Sequence, residues 1–184
     1  GRAIAVGLDY LWRIGMDWPP HPTDEDVRRE YERIWTQIGG RTVEELIALP
    51  LMSDPVALAT FDVLTRLVPP TSLANMNLEF LTVCEAVRLS LEHGHSDGSC
   101  LAYAVLGVVA GPHFGNFQAG LRFSELSYEL IEQRGLRRFQ ALTYLVLGRA
   151  ILPPTRHVRA GREMVRRAFE AASKSGDLTC AAYC

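Results

Sequence analysis

The sequence predicts an all-α protein in which antiparallel helix pairs stack as an open solenoid with a period of about 41 residues. Three landmarks carry that reading. Gly94, Gly135 and Gly176 recur at one constant interval, each closing an apolar, helix-patterned run. Tyr103-Ala104-Val105-Leu106-Gly107 returns one such interval later as Tyr144-Leu145-Val146-Leu147-Gly148, and Ala119-Gly120 returns at the same spacing as Ala160-Gly161. Two helices within about 40 residues is the period of the longer helical repeats.

The helices follow from their punctuation. A first helix spans Ala3 to Leu11, and Trp18-Pro19-Pro20-His21-Pro22 then excludes helix, because successive prolines lack the backbone donor and push the preceding residue out of the α region. Thr23 with Asp26 three residues on caps the next helix, which runs through Val27, Tyr31, Ile34, Trp35 and Ile38 at helical spacing and stops at Gly39-Gly40. The run Asp24-Glu25-Asp26 is explained by that helix N-terminus, which favours negative charge. A short helix covers Val43 to Leu49 before Pro50. Asp54-Pro55 opens another, expected to stop at Val68-Pro69-Pro70. The regular part follows: Asn77–Glu92, Ser99–Val109, Phe117–Arg134, Phe139–Leu152 and Val158–Lys174, with a last short helix from Leu178 to Cys184. Residues 1–184 thus read as one helical-repeat fragment, irregular over 1–75 and regular over 76–184.

In such an array the first helix of a pair is packed nearly all round, as Leu101 to Val109 suggests. The second keeps a solvated face, supplied by Arg122, Glu125, Glu129 and Glu132 in one copy and by Arg159, Glu163, Arg166 and Glu170 in the other. A glycine inside a helix costs about 1 kcal/mol relative to alanine. Gly107, Gly120, Gly148 and Gly161 therefore point to close helix approach, with a local kink as the plainer alternative.

With 48% hydrophobic and 22% charged side chains the chain can bury a core, and a net charge of −2 gives no general attraction to nucleic acid or anionic membrane. Residues Gly1 to Ile14 lack the form of a signal peptide, and Cys100–Ala110 is too short to span a bilayer. Cys84, Cys100, Cys180 and Cys184 lack zinc-site spacing and read as small core residues in a reducing compartment. The expectation is a cytoplasmic protein with no cofactor, metal, nucleic-acid or membrane partner.

Several short motifs add a resemblance. Gly7-Leu8-Asp9-Tyr10-Leu11, Asp17-Trp18-Pro19-Pro20-His21-Pro22-Thr23, Tyr31-Glu32-Arg33-Ile34-Trp35, Leu49-Pro50-Leu51-Met52-Ser53-Asp54-Pro55 and Ser90-Leu91-Glu92-His93-Gly94 span much of the chain. Together they resemble the helical region of large bacterial and fungal signalling ATPases. In that family a serine/threonine-kinase-like domain and an AAA-type ATPase precede the region, and a GAF domain and often a sensor histidine kinase follow it. The resemblance implies a right-handed α-α superhelix, tetratricopeptide-like, acting as a scaffold or sensing arm. None of the ATP-using machinery is carried over, since the sequence holds no phosphate-cradling Gly-x-x-x-x-Gly-Lys-Ser/Thr loop and no kinase catalytic loop.

Candidate chemistry is sparse. His93 and His95 with Cys100 come nearest to a metal site, yet a structural site needs about four ligands, and a polar turn with Ser96 or Asp97 capping the next helix is the simpler reading. Cys180 and Cys184, four apart, are expected in the core. His21, His93, His95, His113 and His157 lie in or beside predicted turns, and no nucleophile elbow appears. Charge is more informative. Arg156, Arg159, Arg162 and Arg166 belong to a basic stretch, and the last three follow helical spacing. That stripe suits an acidic or phosphorylated partner segment. A solvated face interleaved with Glu163 and Glu170 is the simpler alternative.

The expected function is a noncatalytic interaction and signal-relay scaffold whose partners are neighbouring domains of the same polypeptide or a separate protein or peptide. The alternative is a small-ligand sensor with its effector in a groove between helix pairs. Met164, Val165, Ala168, Phe169 and Ala172 are expected to leave an apolar patch where a further repeat would stack, and the isolated chain is expected to pair as a homodimer through this end or through the Ala3 to Leu11 helix.

Overall fold

The computed structural model describes residues 1–19, 21–151 and 158–184, and every regular element among them is helical. The helices are α1 Arg2–Arg13, α2 Asp24–Ile38, α3 Val43–Ile47, α4 Pro55–Ala74, α5 Met76–His93, α6 Asp97–Phe114, α7 Phe117–Arg134 and α8 Gln140–Val146. A π-helical turn, Leu147–Ile151, continues α8, and α9 Val158–Ser175 and α10 Leu178–Tyr183 follow. The chain divides into two compact units, Gly1–Thr42 with Leu49–Ser96, and Val43–Ala48 with Asp97–Cys184.

In the first unit α5 is the central helix, packed against α2 and α4, while α1 packs on α4. α2 begins where expected because Thr23 and Asp26 close a capping box. The Asp26 amide donates to Thr23 Oγ1 at 3.2 Å, and the Thr23 amide donates to Asp26 Oδ2 at 2.9 Å. Val27, Tyr31, Ile34 and Ile38 are buried on one stripe of α2. α5 ends at Gly94, whose φ of 95° suits glycine alone, and a Cβ there would collide with the Pro50 carbonyl oxygen. That close approach lets the His95 amide donate to the Pro50 carbonyl and the Met52 amide to the His95 carbonyl, both at 2.8 Å.

In the second unit α6 packs against α7, and α8 with its π turn packs against α9. Tyr103 of α6 stacks on Phe123 of α7 with ring centroids 6.1 Å apart, both rings fully buried. α3 lies on α7, where Arg134 donates to the Ile47 carbonyl at 2.5 Å and so satisfies an open helix end. The helical glycines are close-approach sites. A Cβ on Gly120 would sit 2.8 Å from the Gly107 carbonyl oxygen, and one on Gly148 would sit 2.8 Å from that of Gly161. At Gly148 the local irregularity is present too, since the residue lies in the π turn.

Several expectations are corrected. α4 does not stop at Val68-Pro69-Pro70 but runs through both prolines to Ala74. Hydroxyls supply hydrogen bonds there, Thr71 to the Leu67 and Val68 carbonyls at 2.7 and 3.0 Å and Ser72 to Pro69 at 2.8 Å. α6 likewise passes Gly111-Pro112 and closes at Phe114, where the Gly115 amide donates to Gly111 and the Asn116 amide to Ala110. His113 is therefore inside a helix. The regular α-helix expected over Phe139–Leu152 is the seven-residue α8 plus the π turn, and Leu152 and His157 lie outside the described residues. Cys184 is exposed rather than in the core. Of the expected terminal apolar patch, Ala168 and Ala172 are fully buried, Met164 and Val165 half-buried, and Phe169 alone is exposed, at 50%.

Candidate interaction surface

α9 is amphipathic. Gly161, Ala168 and Ala172 are buried, while Arg159, Arg162, Glu163 and Arg166 project to solvent. Where its first turns meet the π turn after α8, the two backbones approach at Gly148 and Gly161. With no side chains between them, the surface falls into a recess of about 760 Å³. Gly148, Gly161 and Val165 line it together with Arg159, Arg162, Glu163, Arg166 and Cys184. Three of the four arginines marked in the sequence thus share one recess, and Arg156 lies outside the described residues. π-helical turns recur at functional sites because they displace side chains from the regular ladder. This one borders the recess directly.

Three cations face one carboxylate in the recess lining. Arg166 donates to Glu163 at 2.5 Å and also bridges to Glu170. The hydrogen bond from Arg166 is the main reason the Glu163 carboxyl sits below the usual carboxylate range. These pairs are solvent-exposed, so they are screened and readily exchanged for an incoming anion. The interleaved-charge alternative is thus realised at Arg166.

A polar node beside this surface was not legible in the sequence. Arg167 of α9 lies over the Tyr144 ring of α8 at 4.7 Å and near the Tyr128 ring of α7 at 5.5 Å. It donates to the Tyr128 hydroxyl at 2.9 Å, to Glu132 at 2.6 Å and to the Tyr144 hydroxyl at 3.1 Å. The Tyr144 hydroxyl in turn donates to Glu132 and accepts from Gln140 at 3.1 Å. Burial, and then the bond to Glu132, push the Tyr144 phenol up to about 12. One side chain so ties three helices. The sequence shows Tyr128 and Glu132 four apart, and Gln140 and Tyr144 four apart, but not that the two faces meet.

The other marked residues do not converge. His93 is exposed at the end of α5 and His95 is buried, and among the described residues no three potential ligands group as a metal site. Asp97 accepts from the Arg138 amide at 3.0 Å. Burial pushes the Cys100 thiol up to about 12 and the Cys180 thiol up to about 11, which leaves both protonated and unreactive at neutral pH. No helix of the described residues is long and apolar enough to cross a membrane.

No family model and no solved structure matches the chain. It is similar to the hybrid signal transduction histidine kinase G of Dictyostelium discoideum, at 28% identity over 202 aligned residues. The alignment covers 98% of this chain and 6% of that protein.

Proposed function

We propose that this chain is a noncatalytic interaction and signal-relay module, a tetratricopeptide-like stack of helix pairs from a multidomain signalling protein, whose arginine-lined recess receives an acidic protein segment. The observation that carries the reading is the convergence of Arg159, Arg162 and Arg166 on one recess beside a π-helical turn. Guanidinium groups pair with carboxylate or phosphate in forked geometry, which suits a peptide bearing several such groups. The relay side of the proposal rests on Arg167, which joins α7, α8 and α9 so that displacement of α9 by a bound segment is passed to its neighbours. The signalling context draws on the similarity to a hybrid signal transduction histidine kinase. The acidic segment belongs to a neighbouring domain of the same polypeptide or to a separate protein, and the chain itself performs no catalytic step.

The test is fluorescence anisotropy of a labelled Glu-rich peptide against the full chain, alongside a thermal-shift screen of metabolites. Saturable peptide binding that weakens with salt and is lost in Arg159→Glu/Arg162→Glu supports the proposal. A volume of about 760 Å³ also falls within the range of small-molecule sites. A saturable shift with a metabolite, and none with the peptide, overturns the scaffold reading in favour of an effector sensor.

A further inference from the structure

We propose that the recess between the last turn of α1 and the segment following it binds a small organic cation carrying an alkylated ammonium group. This site is independent of the arginine recess. α1 ends at Arg13, and the chain turns back at once: the Gly15 amide donates to the Trp12 carbonyl at 3.0 Å and the Met16 amide to the Leu11 carbonyl at 2.9 Å, with Gly15 at a φ of 89°. That reversal sets Met16, Asp17 and Trp18 against Leu8, Asp9 and Trp12 around a recess of about 250 Å³. While Leu11 is fully buried, the Trp12 indole is 64% exposed.

The chemistry of the lining selects the ligand. Trp12, Trp18 and Met16 bring two electron-rich indoles and a polarisable thioether to the lining, and Asp9 and Asp17 give it a negative sign. Among the described residues no basic side chain lines it, although Arg13 on its border holds Asp9 at 3.0 Å and competes for that carboxylate. Asp17 forms no ion pair among the described residues. An anion is repelled here, and an uncharged apolar ligand leaves the carboxylates unused. Among the described residues a metal ion finds only two carboxylate side chains here. An alkylated ammonium satisfies every group present: its methyls lie against indole and thioether while its charge, spread over those methyls, faces Asp17 and the ring faces. The volume fits such a headgroup rather than a drug-sized molecule.

The experiment titrates the full chain with choline and, separately, with 3,3-dimethyl-1-butanol, the uncharged molecule of the same shape. Tryptophan emission and saturation transfer to the ligand methyls report binding. Saturable binding of choline, absence of binding by the alcohol, weakening of about tenfold in Asp17→Asn and loss of saturation in Trp12→Leu are the expected results. Both substituted side chains are solvent-exposed, and an unchanged melting temperature verifies the fold. Equal response to choline and the alcohol, unchanged affinity in Asp17→Asn, or no saturation into the tens of millimolar overturns the proposal. Because neither substitution touches α9, failure here leaves the acidic-peptide result standing.

Discussion

Around Tyr103 the contact between α6 and α7 is sealed by rings, whereas around Tyr144, its counterpart in the next repeat of the sequence pattern, the contact among α7, α8 and α9 is built from charge. Both places use the same backbone device, a glycine set against the carbonyl of a glycine on the facing helix. What differs is the filling. Tyr103 meets Phe123, and α6 continues as regular helix through Pro112. Tyr144 meets Arg167 and Glu132, α8 gives way to a π turn after seven residues, and a recess opens beside it. One helix pair is finished as core, the other left partly polar and open, and the candidate interaction surface lies on the open one.

The largest effect that can break this contrast is Phe123→Ala. The ring is fully buried and stacked, so its removal should cost about 3–5 kcal/mol in chemical denaturation. Met164, at the matching position of the sequence pattern, is half-buried, and Met164→Ala should cost clearly less. Equal losses would mean that the second contact is as tightly packed as the first.

How far the sequence announced this contrast depends on what each feature needs. The glycines at 94, 135 and 176 were legible as helix ends because a positive φ is a local requirement, and all three adopt it. The apolar stripe of α2 and the Thr23–Asp26 cap were legible for the same reason. The proline pair in α4 reads as a stop by the rule that prolines end helices, yet α4 continues through both, and the Thr71 and Ser72 hydroxyls bond the Leu67, Val68 and Pro69 carbonyls rather than the Thr65 and Arg66 carbonyls that lose their amide donors. The π turn was invisible, because it accompanies the approach of Gly148 to Gly161 and Val165, a tertiary contact rather than a propensity. The spacing of Arg159, Arg162 and Arg166 was readable as one face. The Arg167 node was not, as it exists only once three helices meet.

The next test compares the glycines. Alanine should gain up to about 1 kcal/mol in helix propensity at either position, yet its Cβ would sit 2.8 Å from a backbone oxygen, and overpacking of this kind costs about 1–3 kcal/mol. Gly120→Ala and Gly148→Ala should both destabilise. Gly148→Ala should lose more, because a Cβ there also meets Val165 Cγ2 at 2.9 Å and the Val165 amide nitrogen at 3.0 Å, whereas one on Gly120 is crowded by Gly107 alone. A raised melting temperature for either would remove that contact from the comparison, and the reverse order would show that the π turn yields to the added methyl.

The smallest effect concerns the charge at Tyr144, and pH isolates it. The Glu132 carboxyl is held below its usual range first by the bond from the Tyr144 hydroxyl and then by Arg167, with partial burial opposing both. As the folded state binds its proton less readily than the unfolded chain, Glu132 contributes stability that is fully present above the unfolded value of about 4.3 and is lost as pH falls through the lower folded value. Asp26 and Glu163 are depressed as well and burial raises Glu79, so wild type alone would mix several groups. The stability difference between wild type and Glu132→Gln separates one. It should be constant near neutrality and shrink below about pH 4.3. Arg167→Met should lower neutral-pH stability by about 0.5–2 kcal/mol, and it should move the shrinkage closer to the unfolded value, since one of the groups holding the carboxylate is gone. A difference that ignores pH would mean that Glu132 contributes no carboxylate to the node, and the neighbourhood of Tyr144 would then be governed by packing, as that of Tyr103 is.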